Sequence, residues 1–209
     1  MKLVRYGEIG AEKPGLIDSN GNVRDLSTVV SEINGDALSE SSLTKLNDIE
    51  IDSLNVVPGN PRLGLPISGT PKLICIGLNY SDHAKESNMP IPTEPVVFMK
   101  AISALNGPSD DVILPDNSVK GDWEVELAVV IGSTAKKVTE SEALAHVAGY
   151  TICNDVSERE WQLEHGNQWS KGKSFDTFAP VGPWLVTKDE INDPQNLAMW
   201  LDLNGKRMQ

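Results

Sequence analysis

Residues Asp122–Gly132, DWEVELAVVIG, decide the fold and pose a chemical question. The run is rich in β-branched residues and closed by glycine, the pattern of a buried strand, yet it carries two carboxylates two positions apart. Side chains at even spacing on a strand share a face. Glu124 and Glu126 should therefore point the same way as Ala128 and Val130, with about 6.7 Å between their own Cα atoms. Water would solvate such a pair at little cost, whereas a site away from solvent needs a cation, a shared proton or a basic side chain beside it.

The composition narrows where that counter-charge comes from. With 209 residues, 39% of them hydrophobic, 13 prolines and 17 glycines, the chain is long enough for a proper core and rich in loops. Its net charge of −12 opposes a nucleic-acid backbone or an anionic membrane as partner. Cys75 in LICIGLN and Cys153 in YTICND lie in apolar runs, which reads as two buried thiols rather than a disulfide framework or a zinc pair. A reducing, cytoplasmic setting fits that usage. The opening MKLVRYGEIG has no apolar signal core, and no run of about 18 apolar residues occurs, so neither secretion nor membrane spanning is expected.

Along the chain, GLIDSNGNVRDL reads as a hairpin turning at Asn20, Gly21 and Asn22, followed by two short helical patches. Residues 55–71, NVVPGNPRLGLPISGTP, hold four prolines and three glycines and read as a connection. The expected organisation is a small N-terminal domain over 1–65 and a larger catalytic domain over 71–209. The larger unit should run as the strand KLICIGLN, a short helix after Asn79, the strands EPVVFMK and DWEVELAVVIG, a helix near TESEALAHVA and the strand GYTICND. The closing LDLNGKRMQ has the Asn204-Gly205 pair of a tight hairpin, but only four residues follow, too few for a full returning strand. On that reading the chain is a fragment, cut within its catalytic domain.

Two groups of residues carry chemistry. Asp155 closes GYTICND and precedes VSEREWQLEHG, where Ser157 and Glu160 have capping-box spacing. If the turn after Asp155 is helical, Asp155, Arg159 and Gln162 form one stripe offering an acid, a guanidinium and an amide. With Glu124 and Glu126, Asp155 would supply a hard, all-oxygen set suited to Mg²⁺ or Mn²⁺ rather than zinc or copper. The second group is NYSDHAKES, where His83 and Glu86 are three apart on a helical turn. The carboxylate there can fix the imidazole's tautomer and raise its basicity, or the two are simply a solvated pair. His146 and His165 have no neighbour suggesting a role, and Lys100 and Lys171 read most simply as surface lysines. Lys173, between glycine and serine in GKSF, is placed either in solvent or against a developing negative charge. Walker, GxGxxG, HExxH, GxSxG and CxxC patterns are all absent.

In this order and spacing, NYSDHAKE, EPVVFMK, GDWEVELAVVIG, NDVSEREWQ and GKSFDTFAPVGPW resemble the fumarylacetoacetate hydrolase family across residues 71–209. The opening MKLVRYGEIGAEKPGLID resembles the N-terminal module of its bacterial sugar-acid branch. The resemblance implies an α+β fold whose catalytic unit is a mixed, rolled β-sandwich, usually in a homodimer. It implies Glu124, Glu126 and Asp155 as ligands of a divalent metal, and His83 with Glu86 as the water-activating dyad. Lys173, Arg159 and Gln162 become the substrate and transition-state contacts.

The activity implied is hydrolysis of a carbon–carbon bond in a 2,4-dioxo acid, an acylpyruvate or a 2,4-diketo-3-deoxy sugar acid, giving pyruvate and a carboxylic acid. Ureidoglycolate lyase, oxaloacetate decarboxylase and tautomerase chemistry stay open beside it, as does a non-catalytic binding protein stabilised by a cation. Family members continue past the hairpin at Asn204 into further strands and a Gly-Thr loop that contacts substrate, which this sequence lacks.

Overall fold

The computed structural model describes residues 1–86 and 88–209. In chain order its strands and helices are β1 (Lys2–Tyr6), β2 (Lys13–Ile17), β3 (Val23–Asp25), α1 (Glu40–Asn47), β4 (Leu73–Gly77), α2 (Ser81–Glu86), β5 (Val96–Lys100), β6 (Leu105–Asn106), β7 (Gly121–Asp122) and β8 (Val125–Ile131). There follow α3 (Glu140–Ala143), β9 (Val147–Asn154), β10 (Ser157–Glu158), α4 (Arg159–Leu163), α5 (Ser170–Lys173), β11 (Ala179–Thr187), β12 (Asp202–Leu203) and β13 (Lys206–Arg207). The fold mixes short helices with a predominance of sheet.

Seven strands make the main sheet, in the order β3-β2-β1-β11-β9-β8, with β6 pairing in parallel with β11. β1 joins it through Leu3, which lies opposite Leu185 on antiparallel β11. The hairpin predicted at Asn20–Asn22 forms between β2 and β3, with Ile17 opposite Val23. Its turn is fixed by Asp18, whose carboxylate accepts from the backbone N–H of Asn20 and of Asn22 and from Arg24 Nε at 2.9, 2.9 and 2.8 Å. That is an Asx-type turn closed by an ion pair, with Gly21 at φ +83° where a Cβ would strain the backbone.

Three cores support the sheet among the described residues, the smallest formed by Val4, Tyr6 and Val23. Leu3, Leu16, Leu26, Ile33, Leu38 and Leu46 pack with Ala148 of β9 and Leu185 of β11. The first fifty residues thus bury their apolar side chains against later strands. Ala104, Cys153, Val156, Phe178, Ala179 and Val181 form the second core, under the ends of β9 and β11. Both cysteines are free thiols; Cys153 is buried and Cys75 half-buried.

Three expectations need correction. The strand read as Asp122–Gly132 breaks at Trp123–Glu124: β7 pairs with β10, and only β8 runs beside β9. It is also not buried on both faces, since Val129 and Ile131 are 49% and 55% exposed on the side opposite Glu126. The break is made by side chains taking over the ladder, with Asp122 Oδ1 accepting from Trp123 N and Asn154 Oδ1 from Glu124 N. At the other end, the hairpin expected at Asn204-Gly205 forms, with a returning strand of only 2 residues. β12 and β13 pair through Leu203 and Lys206, with both turn residues at positive φ. Lastly, the cap of α4 is Glu158 rather than Ser157, because Ser157 and Glu158 lie in β10 and Glu158 accepts from Trp161 N at 2.9 Å. Among the described residues no helix is long and apolar enough to cross a membrane.

Leu185 is fully buried where the N-terminal hairpin meets β11. Leu185→Ala should lower the unfolding free energy by about 2–5 kcal/mol, read from urea denaturation midpoints at an unchanged slope.

Candidate active site

The β8–β9 register positions the first carboxylate. Asp155 N donates to Glu124 O at 2.8 Å, continuing the β8–β9 ladder by one bond beyond the strand ends and setting Glu124 beside Asp155. Both side chains are buried, at 8% and 4% exposure. Glu126, opposite Cys153 on β9, lies half-buried next to them. The three carboxyl groups thus gather at one end of the sheet, although Asp155 reaches the cluster from a strand end rather than from a helical stripe.

The counter-charges come from three directions. Lys173 closes α5 and is 2% exposed; its Nζ donates to Glu124 Oε2 at 2.5 Å and to Asp155 Oδ2 at 2.9 Å. Arg159 opens α4 and reaches Glu124 Oε1 at 2.6 Å and Asp122 Oδ2 at 2.7 Å, while its Nη1 donates to Gln162 Oε1 at 2.8 Å. Lys100 ends β5 at 1% exposure and donates to Asp155 Oδ1 at 2.5 Å and to Val156 O at 3.0 Å. The solvent-exposed placement expected for Lys100 is therefore wrong. Period-two alternation along VVFMK was the available signal, for it places Lys100 on the face of Phe98, and Phe98 in turn lies 5.4 Å from Lys173 Nζ. Asp122, inside the stretch read as strand, was likewise missed as the partner of Arg159.

Close packing holds α5 in place. A Cβ at Gly172 would stand 2.3 Å from Glu158 O and 2.5 Å from Gln162 N, so only glycine lets α5 approach α4 near enough to bring Lys173 to the carboxylates. Glu158, fully buried, ties the same region to the preceding loop by accepting from Ser118 Oγ and Lys120 N, both at 3.1 Å.

His83 and Glu86 lie on α2, half-buried and exposed respectively. Among the described residues they form no hydrogen bond or ion pair with each other. The start of α2 is nonetheless tied to the carboxylates through Tyr80. Its carbonyl accepts from Ala84 N at 3.1 Å, and its hydroxyl accepts at 3.2 Å from the N–H of Leu127, the residue after Glu126. His146 and His165 stay outside: His146 meets Ser133 and His165 meets Glu160, both at the surface. Lys171 is exposed and donates to His165 O.

The electrostatics leave one carboxyl over. Asp122, Glu124 and Asp155 are paired with Arg159, Lys173 and Lys100, and among the described residues no lysine or arginine pairs with Glu126. Burial, reinforced by the neighbouring Glu124 and Asp155 charges, pushes the Glu126 carboxyl up to about 7. Burial pulls the Lys100 ammonium below the ordinary lysine range, against the opposing pull of Asp155. It also raises the thiols of Cys75 and Cys153 to about 12, which makes them poor nucleophiles and poor soft-metal ligands. Among the described residues no three His, Cys, Asp or Glu side chains converge as a ready-made metal cage, since Lys173 lies between two of the carboxylates. The donor chemistry nevertheless fits a hard divalent cation: all oxygen, with one carboxyl lacking a cation of its own.

Residues 72–209 match the family described as fumarylacetoacetate (FAA) hydrolase, C-terminal. A 2,4-didehydro-3-deoxy-L-rhamnonate hydrolase from Sphingomonas sp. (strain SKA58) is 58% identical over all 209 residues, which cover 72% of that protein. Among solved structures, the fumarylacetoacetate hydrolase of Exiguobacterium antarcticum superposes with a TM-score of 0.83 at 35% identity, covering the whole of this chain and 74% of its own. The 2-hydroxyhepta-2,4-diene-1,7-dioate isomerase of Mycobacterium marinum gives a TM-score of 0.72 at 30% identity, over the whole of this chain and 73% of its own.

Because the folded state holds the Glu126 proton more tightly than the unfolded chain does, stability should fall as pH rises from about 4.5 to about 7 and level off above that. The loss should be on the order of 3 kcal/mol in chelator-stripped protein. Glu126→Gln should abolish that slope and melt higher than wild type at pH 8, with little difference at pH 4.5, as read by thermal denaturation across pH.

Proposed function

The chain belongs to the fumarylacetoacetate hydrolase family, a family of enzymes, and from that premise we propose that it hydrolyses a carbon–carbon bond in a 2,4-dioxo acid, releasing pyruvate and a carboxylic acid. The observation that carries this reading is a buried ammonium, Lys173, fixed between Glu124 and Asp155 within a carboxylate cluster. The substrate class, a 2,4-diketo-3-deoxy sugar acid, is supported by the relative named as a rhamnonate-derived hydrolase. The rolled β-sandwich form of the catalytic unit and its assembly as a homodimer belong to the same proposal.

Glu124, Glu126 and Asp155 would hold Mg²⁺ or Mn²⁺, and when bound the ion would supply Lewis-acid polarisation of the substrate's 1-carboxylate and 2-oxo oxygens. The protein's own groups do the rest. His83, oriented by Glu86, takes a proton from water, which attacks the C4 carbonyl and forms a C–O bond. Collapse of the tetrahedral adduct breaks C3–C4 and leaves the electron pair on C3, delocalised onto the 2-oxo oxygen as an enolate. Lys173 faces that developing charge, and protonation at C3 then gives pyruvate. Arg159, whose Nε and Nη2 engage Asp122 and Glu124 and whose Nη1 donates to Gln162, would meet the substrate's carboxylate by exchanging one of these partners. For this dyad to act, His83 and Glu86 must come together when substrate binds.

Incubation with Mg²⁺ or Mn²⁺ and a panel of acylpyruvates, diketo sugar acids, oxaloacetate and ureidoglycolate tests the reading. Pyruvate plus a carboxylic acid is expected; pyruvate with CO₂, or glyoxylate with urea, would replace it by a decarboxylase or a lyase. Lys173→Ala should cost about a hundredfold in kcat, the ~3 kcal/mol of one oxyanion donor. His83→Ala should abolish turnover while leaving metal-dependent melting intact. Undiminished turnover in that variant would remove His83 from the mechanism.

A further inference from the structure

We infer that Lys100 is a positioning residue, which turns the Asp155 carboxylate so that Oδ2 faces the centre shared with Glu124, where Lys173 holds it and a divalent cation would meet it. The inference rests on the metal reading above. Lys100 and Lys173 divide the Asp155 carboxylate between them. Lys100 holds Oδ1 at 2.5 Å, and Lys173 holds Oδ2 at 2.9 Å while also bonding Glu124.

The two lysines are anchored differently. Lys100 Nζ is tied in addition to a backbone carbonyl, Val156 O at 3.0 Å, next in sequence to its carboxylate partner. It is therefore fixed to the same piece of chain that it orients. Lys173, by contrast, has two carboxylate partners, both of them candidate ligands. Lys100 is buried, and both of its hydrogen bonds go to the Asp155–Val156 segment. A buried ammonium is costly to keep unless it fixes something, and what it fixes is one oxygen of one ligand.

Orientation and charge predict opposite signs. Removing a positive charge next to a cation site strengthens cation binding by Coulomb's law alone. Removing the group that orients a ligand weakens it, by the roughly 10–100-fold usual for such supports. The test is Mn²⁺ titration by calorimetry and by EPR of free Mn²⁺, on wild type, Lys100→Met and Lys100→Gln. Glutamine is one atom shorter and loses the charge without leaving an apolar gap, so it serves where methionine does not fold.

The expected result is Mn²⁺ affinity at least tenfold weaker in the folded variant. The Mn²⁺ concentration for half-activation should rise in parallel, and kcat at saturating Mn²⁺ should stay within a few-fold of wild type. Unchanged or tighter Mn²⁺ binding would overturn the role while leaving the metal reading standing. Absence of Mn²⁺ binding in the wild type would overturn both. Failure of both variants to fold would assign Lys100 to stability instead.

Discussion

The constraint on which the rest of this structure depends is charge neutrality in a buried place. Taking an ion out of water costs several kcal/mol, so Asp155 and Lys173, each under 5% exposed, persist only because they satisfy each other. Lys100 and Arg159 complete the pairing with Asp155, Glu124 and Asp122. Three cations face four carboxyls, and the fourth, Glu126, answers the shortage by keeping its proton up to near neutral pH. A bound dication would relieve the same shortage, which is why the protonation of one glutamate and the attraction of a hard metal are two expressions of one imbalance.

Neutrality is reached across long distances in sequence. Lys100 comes from the end of β5, Glu124 from the break before β8, Asp155 from the end of β9, and Arg159 and Lys173 from two short helices. Backbone bonds do the alignment, with Asp155 N on Glu124 O and Arg159 N on Lys120 O. The contact at Gly172 brings the two helices close enough to finish it. The β8–β9 register itself sets Glu124 opposite Asp155, one pair beyond Val125 and Asn154.

Much of this was legible beforehand. Period two placed Glu126 with Ala128, and glycine and asparagine marked the turn at Asn20–Asn22, because these signals are local and set by backbone sterics. Motif order points to Glu124, Asp155, Arg159, Gln162 and Lys173. What escaped was tertiary. Lysine is rarely buried, so sequence alone places Lys100 at the surface, and its pairing with Asp155, 55 residues on, explains the exception. Glu158 displaced Ser157 as the cap because two residues there pair with β7 instead of joining the helix. The break at Trp123 depends on Asn154, thirty residues away, which no window along the chain could reveal.

The pairing of Leu3 with Leu185 has a consequence for biosynthesis. β1 occupies an interior place in the sheet, yet its neighbour β11 leaves the ribosome some 180 residues later, roughly 10–40 s at ordinary elongation rates. Until then the nascent hairpin offers one unpaired edge and an uncovered leucine-rich face, including Leu3 and Leu16, to whatever is nearby. That edge is closed when β11 pairs with β1, so the last long strand to be made completes the surroundings of the first.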